Sequence, residues 1–244
     1  MNRYKILAVT GAGLLASTLL TSPVADAAAR ATICQGRQST IVGSNGNNTL
    51  VGTPRRDVID ARRGDDTVRG LKGNDIVCAG AGKDRVLGGN GIDRLAGDAA
   101  NDMLLGGKGD DFLRGGKGND GLQGKGGMDR ASGGIGNDRV LGGKLNDRLS
   151  GGPGTDRLFG GMRNDLQFGS AKADTLTGGA GADNAKGGAG PDTIVGGTGA
   201  DRMAGGSQDD NIDGQDGAGD DTLLGQDGID VCLFDTGDAV STCP

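Results

Sequence analysis

The chain has 244 residues, of which 53 are Gly, about three times the usual ~7%, and such a content excludes an ordinary helical or sandwich domain. One Tyr, four Phe and no Trp cannot fill a single thick core, yet 34% hydrophobic residues are too many for a disordered polyampholyte. His and Glu are absent, so all 32 acidic residues are Asp against 26 Lys and Arg, a net charge of −6. That excludes Ser/His/Asp and Cys/His nucleophile pairs, HExxH zinc sites and histidine acid–base chemistry.

At the N-terminus, Arg3 and Lys5 precede an apolar stretch from Ile6 to Leu20, followed by Pro23 and Ala25-Asp26-Ala27-Ala28. These are the three regions of a secretory signal peptide, with cleavage expected after Ala27. The stretch is shorter than the ~20 residues of a membrane span and is interrupted by Thr10, Gly11, Gly13 and Ser17. Gly11 to Ala16 formally matches a dinucleotide fingerprint, but no strand-turn-helix context surrounds it. Cleavage would remove Arg3, Lys5 and Asp26 and leave a net charge of −7. The expected product is an acidic, exported protein with no nucleic-acid partner and, after cleavage, no membrane contact.

Cys34 and Cys78 lie near one end, Cys232 and Cys243 near the other. The arrangement suits an oxidising compartment and two local bridges, Cys34 with Cys78 and Cys232 with Cys243 being favoured among the three pairings that four cysteines allow. The lack of His and of any CxxC speaks against zinc. Both bridges are expected to cap the ends of the fold, with residues 28–42 as an N-terminal cap and 234–244 as a C-terminal one.

Between them lies a repeat. Asp recurs every nine residues from Asp57 to Asp210, eighteen times without a slip. Asn48 extends the series upstream, and Asp221 and Asp230 continue it after a two-residue insertion, giving about 21 units over residues 43–233. With this Asp at position 6, position 1 is almost always Gly, positions 2 and 4 are often Gly, and position 8 is usually a large aliphatic; Gly88-Gly89-Asn90-Gly91-Ile92-Asp93-Arg94-Leu95 is a clean copy. Gly at 1, 2 and 4 predicts a turn over positions 1 to 6. Positions 7 to 9 then form a three-residue strand whose central side chain points one way and its neighbours the other. From Leu50 to Cys232, position 8 is large and apolar in all but Ala131, Gln167, Ala185 and Cys232, enough for a continuous narrow core. Two units make an 18-residue coil with a strand on each side. Stacked coils predict an all-β solenoid of two parallel sheets, and ten coils at ~4.8 Å spacing make a rod about 50 Å long.

Two readings of the regular Asp follow from its chemistry. Its carboxylate could bond nearby backbone N–H groups, as in an Asx turn. Alternatively, carboxylates and turn carbonyls could form an oxygen cage for a hard cation, since calcium takes six to eight such ligands. Columns of carboxylates at coil spacing repel one another, which favours an intervening divalent ion.

The unit GGxGxDxUx, as in Gly88 to Leu95, resembles the RTX (repeats-in-toxin, hemolysin-type) calcium-binding nonapeptide, and the resemblance covers residues 43–233. It implies a parallel β-roll with calcium held between turns 18 residues apart by the position 6 Asp and turn carbonyls. Carried onto this sequence, it places calcium at Asp75, Asp84, Asp93, Asp111, Asp120, Asp138, Asp156, Asp183, Asp192, Asp201 and Asp210. The best pairs are Asp93 with Asp111, Asp120 with Asp138, Asp138 with Asp156 and Asp183 with Asp201, then Asp75 with Asp93 and Asp192 with Asp210. From Gly142 to Thr177 the pattern lapses: Leu145, Arg163 and Lys172 replace the position 4 Gly and Gln167 replaces the core aliphatic. Asp147, Asp165 and Asp174 are therefore left out of the expected calcium set.

Arg at position 7 (Arg85, Arg94, Arg139, Arg148, Arg157, Arg202) is expected on the outer face beside the Asp rows, balancing charge rather than binding an anion. Asp209 to Asp220 matches most of an EF-hand loop, but the Gly-rich flanks cannot supply its helices. Asp235-Thr236-Gly237 matches an aspartic-protease triplet, in a single copy without the long scaffold. The expected function is a non-enzymatic, exported calcium-binding protein whose folding follows calcium. A calcium-stabilised adhesive or matrix protein is the alternative, ahead of a polysaccharide-acting enzyme, for which no insertion builds a cleft.

Overall fold

The computed structural model describes residues 33–243. The signal peptide expected at 1–27 lies outside these residues, as does the start of the expected N-terminal cap. Among the described residues there are strands and no helix. A small antiparallel hairpin, β1 (Ile33–Cys34) and β2 (Arg37–Gln38), comes first. The chain then winds into two parallel sheets, one of twelve strands from Ile41–Val42 to Ala239–Ser241 and one of eleven from Thr49–Val51 to Val231–Leu233. Successive strands alternate between the sheets, and each pairs with the strand one coil away, Arg94 opposite Phe112 and Leu95 opposite Leu113. This is the parallel β-roll that the nine-residue period predicts, with two units per coil.

The core is one column of aliphatics from each sheet. Ile59, Leu104, Leu122, Leu149, Leu176 and Ile194 belong to a single buried cluster that also takes in Ala131 and Ala185. Each fully buried Leu or Ile contributes about 1.5–3 kcal/mol, and the column continues through partly buried Ile41 at one end and Val240 at the other. The sheets thus run on past residues 43 and 233 on both sides.

The strands are longer than the sequence reading of positions 7 to 9. Most span six residues, as Arg85–Asn90 and Arg139–Lys144 do, covering positions 7 to 9 and then 1 to 3 of the next unit. Strand pairing simply continues through the glycines, Gly107 opposite Gly89 and Lys108 opposite Asn90. Position 1 takes the next inward place in the alternation, and the turn contracts to positions 4 to 6. Positions 2 and 4 have left-handed backbone, φ being 122° at Gly89 and 128° at Gly91, and a Cβ on Gly91 would run into the carbonyl oxygen of Gly73 one coil earlier. Where the pattern lapses, Leu145, Arg163 and Lys172 take the same path at φ of 69°, 76° and 74°.

The two-residue insertion bulges out between Asp213 and Asp221, and the ladder beside it simply spans 20 residues, Asp201 to Asp221. No helix flanks the EF-hand-like run; Asp209 Oδ1 accepts the Ile229 N–H and Asp213 Oδ1 that of Gln215. Asp235, of the protease-like triplet, braces the bulge by accepting the N–H groups of Asp216 and Gly217 through Oδ2.

Both favoured disulfides form, but they do different things. Cys232 packs against the end of the core, and its bridge to Cys243 closes the last coil as expected. Cys34 packs instead on Val58 and Ile76, position 7 residues of the twelve-stranded sheet. The Cys34–Cys78 bridge therefore staples the hairpin to the flank of the first coils rather than across their end.

Candidate metal-binding ladders

Position 6 residues precede every strand and point inward. From Asp57 to Asp230 they are at most 6% exposed. The sequence reading set them beside the arginines on the outer face; alternation puts positions 6 and 7 on opposite sides, so the arginines are exposed and the carboxylates are interior. Each Asp Oδ1 accepts the backbone N–H of the Asp one coil earlier. Along the twelve-stranded sheet, Asp75 donates to Asp93, Asp93 to Asp111 and Asp111 to Asp129, each at 2.8 Å. Along the other sheet, Asp102 donates to Asp120 at 2.8 Å, Asp120 to Asp138 at 2.8 Å and Asp138 to Asp156 at 2.7 Å. Asp183 with Asp201 and Asp192 with Asp210 continue the two rows, and Asp84 lies between Asp66 and Asp102. Every pair singled out from the sequence is thus a hydrogen-bonded neighbour pair.

The rows also hold Asp66, Asp102, Asp129, Asp221 and Asp230, and they run through the lapsed stretch: Asp147, Asp165 and Asp174 accept the same bond at 2.7 to 2.8 Å. The ladder continues here because Leu145, Arg163 and Lys172 reproduce the turn at positive φ. Membership of the rows is marked in the sequence by the position 6 Asp alone. A second row was not anticipated: at exposed position 5, Asn101 Oδ1 accepts the Asn119 N–H, Asn119 that of Asn137, and Asn137 that of Thr155, each at 2.9 Å. This row runs in the opposite direction, carbonyl before amide, and the sequence marks it only as a scatter of Asn and Asp.

The other carboxylate oxygen decides what the rows can do. From Asp66 to Asp230, every position 6 Oδ2 is buried without a hydrogen-bond partner, and a buried unpaired carboxylate is costly. Burial is accordingly the largest influence on these groups: it pushes Asp75 and Asp120 up to about 6, Asp102 and Asp111 to about 7 and Asp147 to about 8, against the lowering effect of the ladder bond. Neighbouring carboxylates add to the rise at Asp111 and Asp147. Most of these Oδ2 atoms fill the space where a Cβ on the position 1 Gly of the same unit would be, and many of them have a carbonyl of the next coil alongside. A Cβ on Gly70 would lie 2.5 Å from both Asp75 Oδ2 and the Gly88 carbonyl oxygen. Among the described residues no three carboxylates converge on one point, so a cation between coils would draw its remaining ligands from carbonyls. Unpaired anionic oxygens close to carbonyl oxygens are the donor set of a hard cation such as calcium, and the residues fit it.

A parallel β-solenoid with an inward carboxylate in every turn, one oxygen of it unsatisfied, is a cation-binding repeat protein. The family model of the RTX calcium-binding nonapeptide repeat matches nine stretches that together run from residue 42 to residue 238. The chain belongs to that family, whose repeats bind calcium. No curated protein matches it.

Proposed function

We propose that this is an exported, non-enzymatic calcium-binding protein whose fold is completed outside the cell by ions held along the two Asp rows. The observation that carries the reading is the column of buried, unpartnered Oδ2 atoms: it destabilises the metal-free coil, and a divalent ion turns repulsion into attraction. Asp75, Asp84, Asp93, Asp111, Asp120, Asp138, Asp156, Asp183, Asp192, Asp201 and Asp210 are the proposed ligands. Asp147, Asp165 and Asp174 join them, because they carry the same unpartnered oxygen. The two disulfides fit the oxidising space outside the cell.

The magnitudes suit coupled folding. At an extracellular-type Kd near ~10⁻⁴ M and calcium near ~1 mM, each site adds about 1.4 kcal/mol. Six such sites add about 8 kcal/mol, comparable to the net stability of a whole domain. Circular dichroism of the mature chain during calcium titration tests this. The β signal is expected to be largely lost in chelator, return with calcium and respond little to magnesium, which prefers a rigid octahedron and keeps its waters. An unchanged spectrum in excess chelator overturns the reading.

A further inference from the structure

The outer face of the twelve-stranded sheet carries a second feature, independent of the Asp rows. In register across four consecutive strands, position 7 reads Arg94, Phe112, Arg130, Arg148, and position 9 reads Ala96, Arg114, Ser132, Ser150. Small residues at Ala96, Ser132 and Ser150 leave a trench between long Arg side chains, and these residues line a groove of about 830 Å³. The four guanidiniums span three strand spacings, about 14 Å, on a chain that is otherwise acidic. Of the two carboxylates in the lining, Asp60 and Asp98, neither lies beyond Arg94 toward Arg148 in strand order, and the hairpin residue Gln35 also lines the groove.

Three of the four arginines are held by aromatic rings and have no carboxylate partner. The Phe112 ring lies between Arg94 and Arg130, whose guanidinium carbons are 5.3 and 5.4 Å from its centroid, and Arg148 sits 5.0 Å over Phe168. Stacking on a ring occupies the face of a guanidinium and leaves the N–H fork at its edge. No carboxylate among the described residues forms an ion pair with Arg94, Arg130 or Arg148, while Arg114 feels the charge of Asp98 in the same lining. Charge balance for the Asp rows does not need this concentration, and it does not account for the aromatic ring between two arginines.

We propose that this groove binds a linear acidic polysaccharide, its carboxylate or sulfate groups paired with the forks of Arg94, Arg114, Arg130 and Arg148 and its hydroxyls with Ser132 and Ser150. Forked guanidiniums match both anions in bidentate fashion. Regular strand spacing offers repeated contacts to a chain of regularly repeating rings. Single-stranded nucleic acid fits less well, since bases need free aromatic faces and both faces of Phe112 are taken by arginines.

The test is a fluorescence titration of the calcium-loaded full chain with a labelled heparin hexasaccharide, which carries both uronate and sulfate. Neutral dextran, poly-glutamate and single-stranded DNA serve as competitors. Salt-sensitive binding is expected, with Arg130→Gln and Arg148→Gln each weakening it about tenfold. Arg130→Lys should weaken it several-fold through loss of the fork, and Ser150→Asp should abolish it. Arg157→Gln, on the outer face of the other sheet, should leave it unchanged. Circular dichroism in the same buffer confirms that each variant is folded; should Arg130→Gln not fold, Ser150→Asp and Arg130→Lys decide. Absence of binding, equal loss with Arg157→Gln, or equal competition by poly-glutamate or DNA overturns the proposal. If the chain keeps its β spectrum in chelator, the titration is repeated there, so that failure of the calcium reading and failure of this one are told apart.

Discussion

The side-chain amide of Gln167 crosses the core and donates to the backbone carbonyl of Thr177 in the opposite sheet at 2.9 Å, while its own carbonyl oxygen is buried without a partner. It replaces an aliphatic between Leu149 and Ala185 in the register, so one polar atom of the core is satisfied and one is not. A half-satisfied buried amide costs about 1–3 kcal/mol. Gln167→Leu is therefore expected to raise stability by about 1–2 kcal/mol in chemical denaturation with calcium present. The same residue sits among three non-Gly left-handed turns, and solenoid units open locally. As calcium is lowered, amides around 160–175 should exchange before those around 88–140, and Gln167→Leu should delay them. Simultaneous loss of protection in the two regions would show that the lapsed stretch is no weaker than its neighbours.

Asp120→Asn separates the two halves of the carboxylate. Its Oδ1 could still accept the Asp102 N–H, while an amide nitrogen would replace the unpartnered Oδ2 next to the Gly133 carbonyl. Asn48, at the head of the same row, already makes this exchange, donating to the Gly46 carbonyl and, at 2.8 Å, to Asp66 Oδ1. The expected result is a higher Tm than the parent in chelator and a smaller rise on adding calcium, by about 1.4 kcal/mol for each site lost. Equal destabilisation in both conditions would mean that the buried charge is not what the metal-free coil lacks an answer to.

The Asp rows also fix the sign of the pH dependence. Folding raises Asp75 and Asp120 from 3.8 to about 6 and Asp102 and Asp111 to about 7, so between about pH 4 and 7 the folded state binds more protons than the unfolded one. Stability of the metal-free chain must then fall as pH rises through that window, the reverse of ordinary acid denaturation. After metal removal the β signal should be stronger at pH 5 than at pH 8, whereas with calcium the order should invert because protons compete for the same oxygens. Thermal melts at both pH values check this; a metal-free Tm that climbs from pH 5 to 8 contradicts it.

The two disulfides should fail differently. The Cys232–Cys243 bridge closes an 11-residue separation at the end of the roll, a constraint of about 3 kcal/mol. With both cysteines replaced by Ser, protection is expected to be lost around Leu223 and Val240 and kept from Leu95 to Val140. Replacing Cys34 and Cys78 should free the hairpin and leave the sheets intact. Hydrogen exchange by mass spectrometry distinguishes these outcomes, and loss across the whole roll in either variant would count against independent coils.

The nine-residue period of Asp, together with aliphatics at position 8, determined the coil, the two parallel sheets and their continuous core, because side-chain burial at fixed spacing leaves few other ways to stack. The regular Asp also marked, by type and position, the residues proposed as cation ligands. What the tertiary structure alone decided begins at the glycines. Without a side chain they carry no mark of which face they take, so neither the extension of each strand through positions 1 to 3 nor the inward aim of Asp93 and its kin could be read from the letters. The bond from the Asp75 N–H to Asp93 Oδ1, and the unpartnered Oδ2 it leaves, exist only once adjacent coils are in register. The same holds for Phe112 between Arg94 and Arg130: residues 18 apart become neighbours through strand pairing, and arginines that read as charge balance become the wall of a groove.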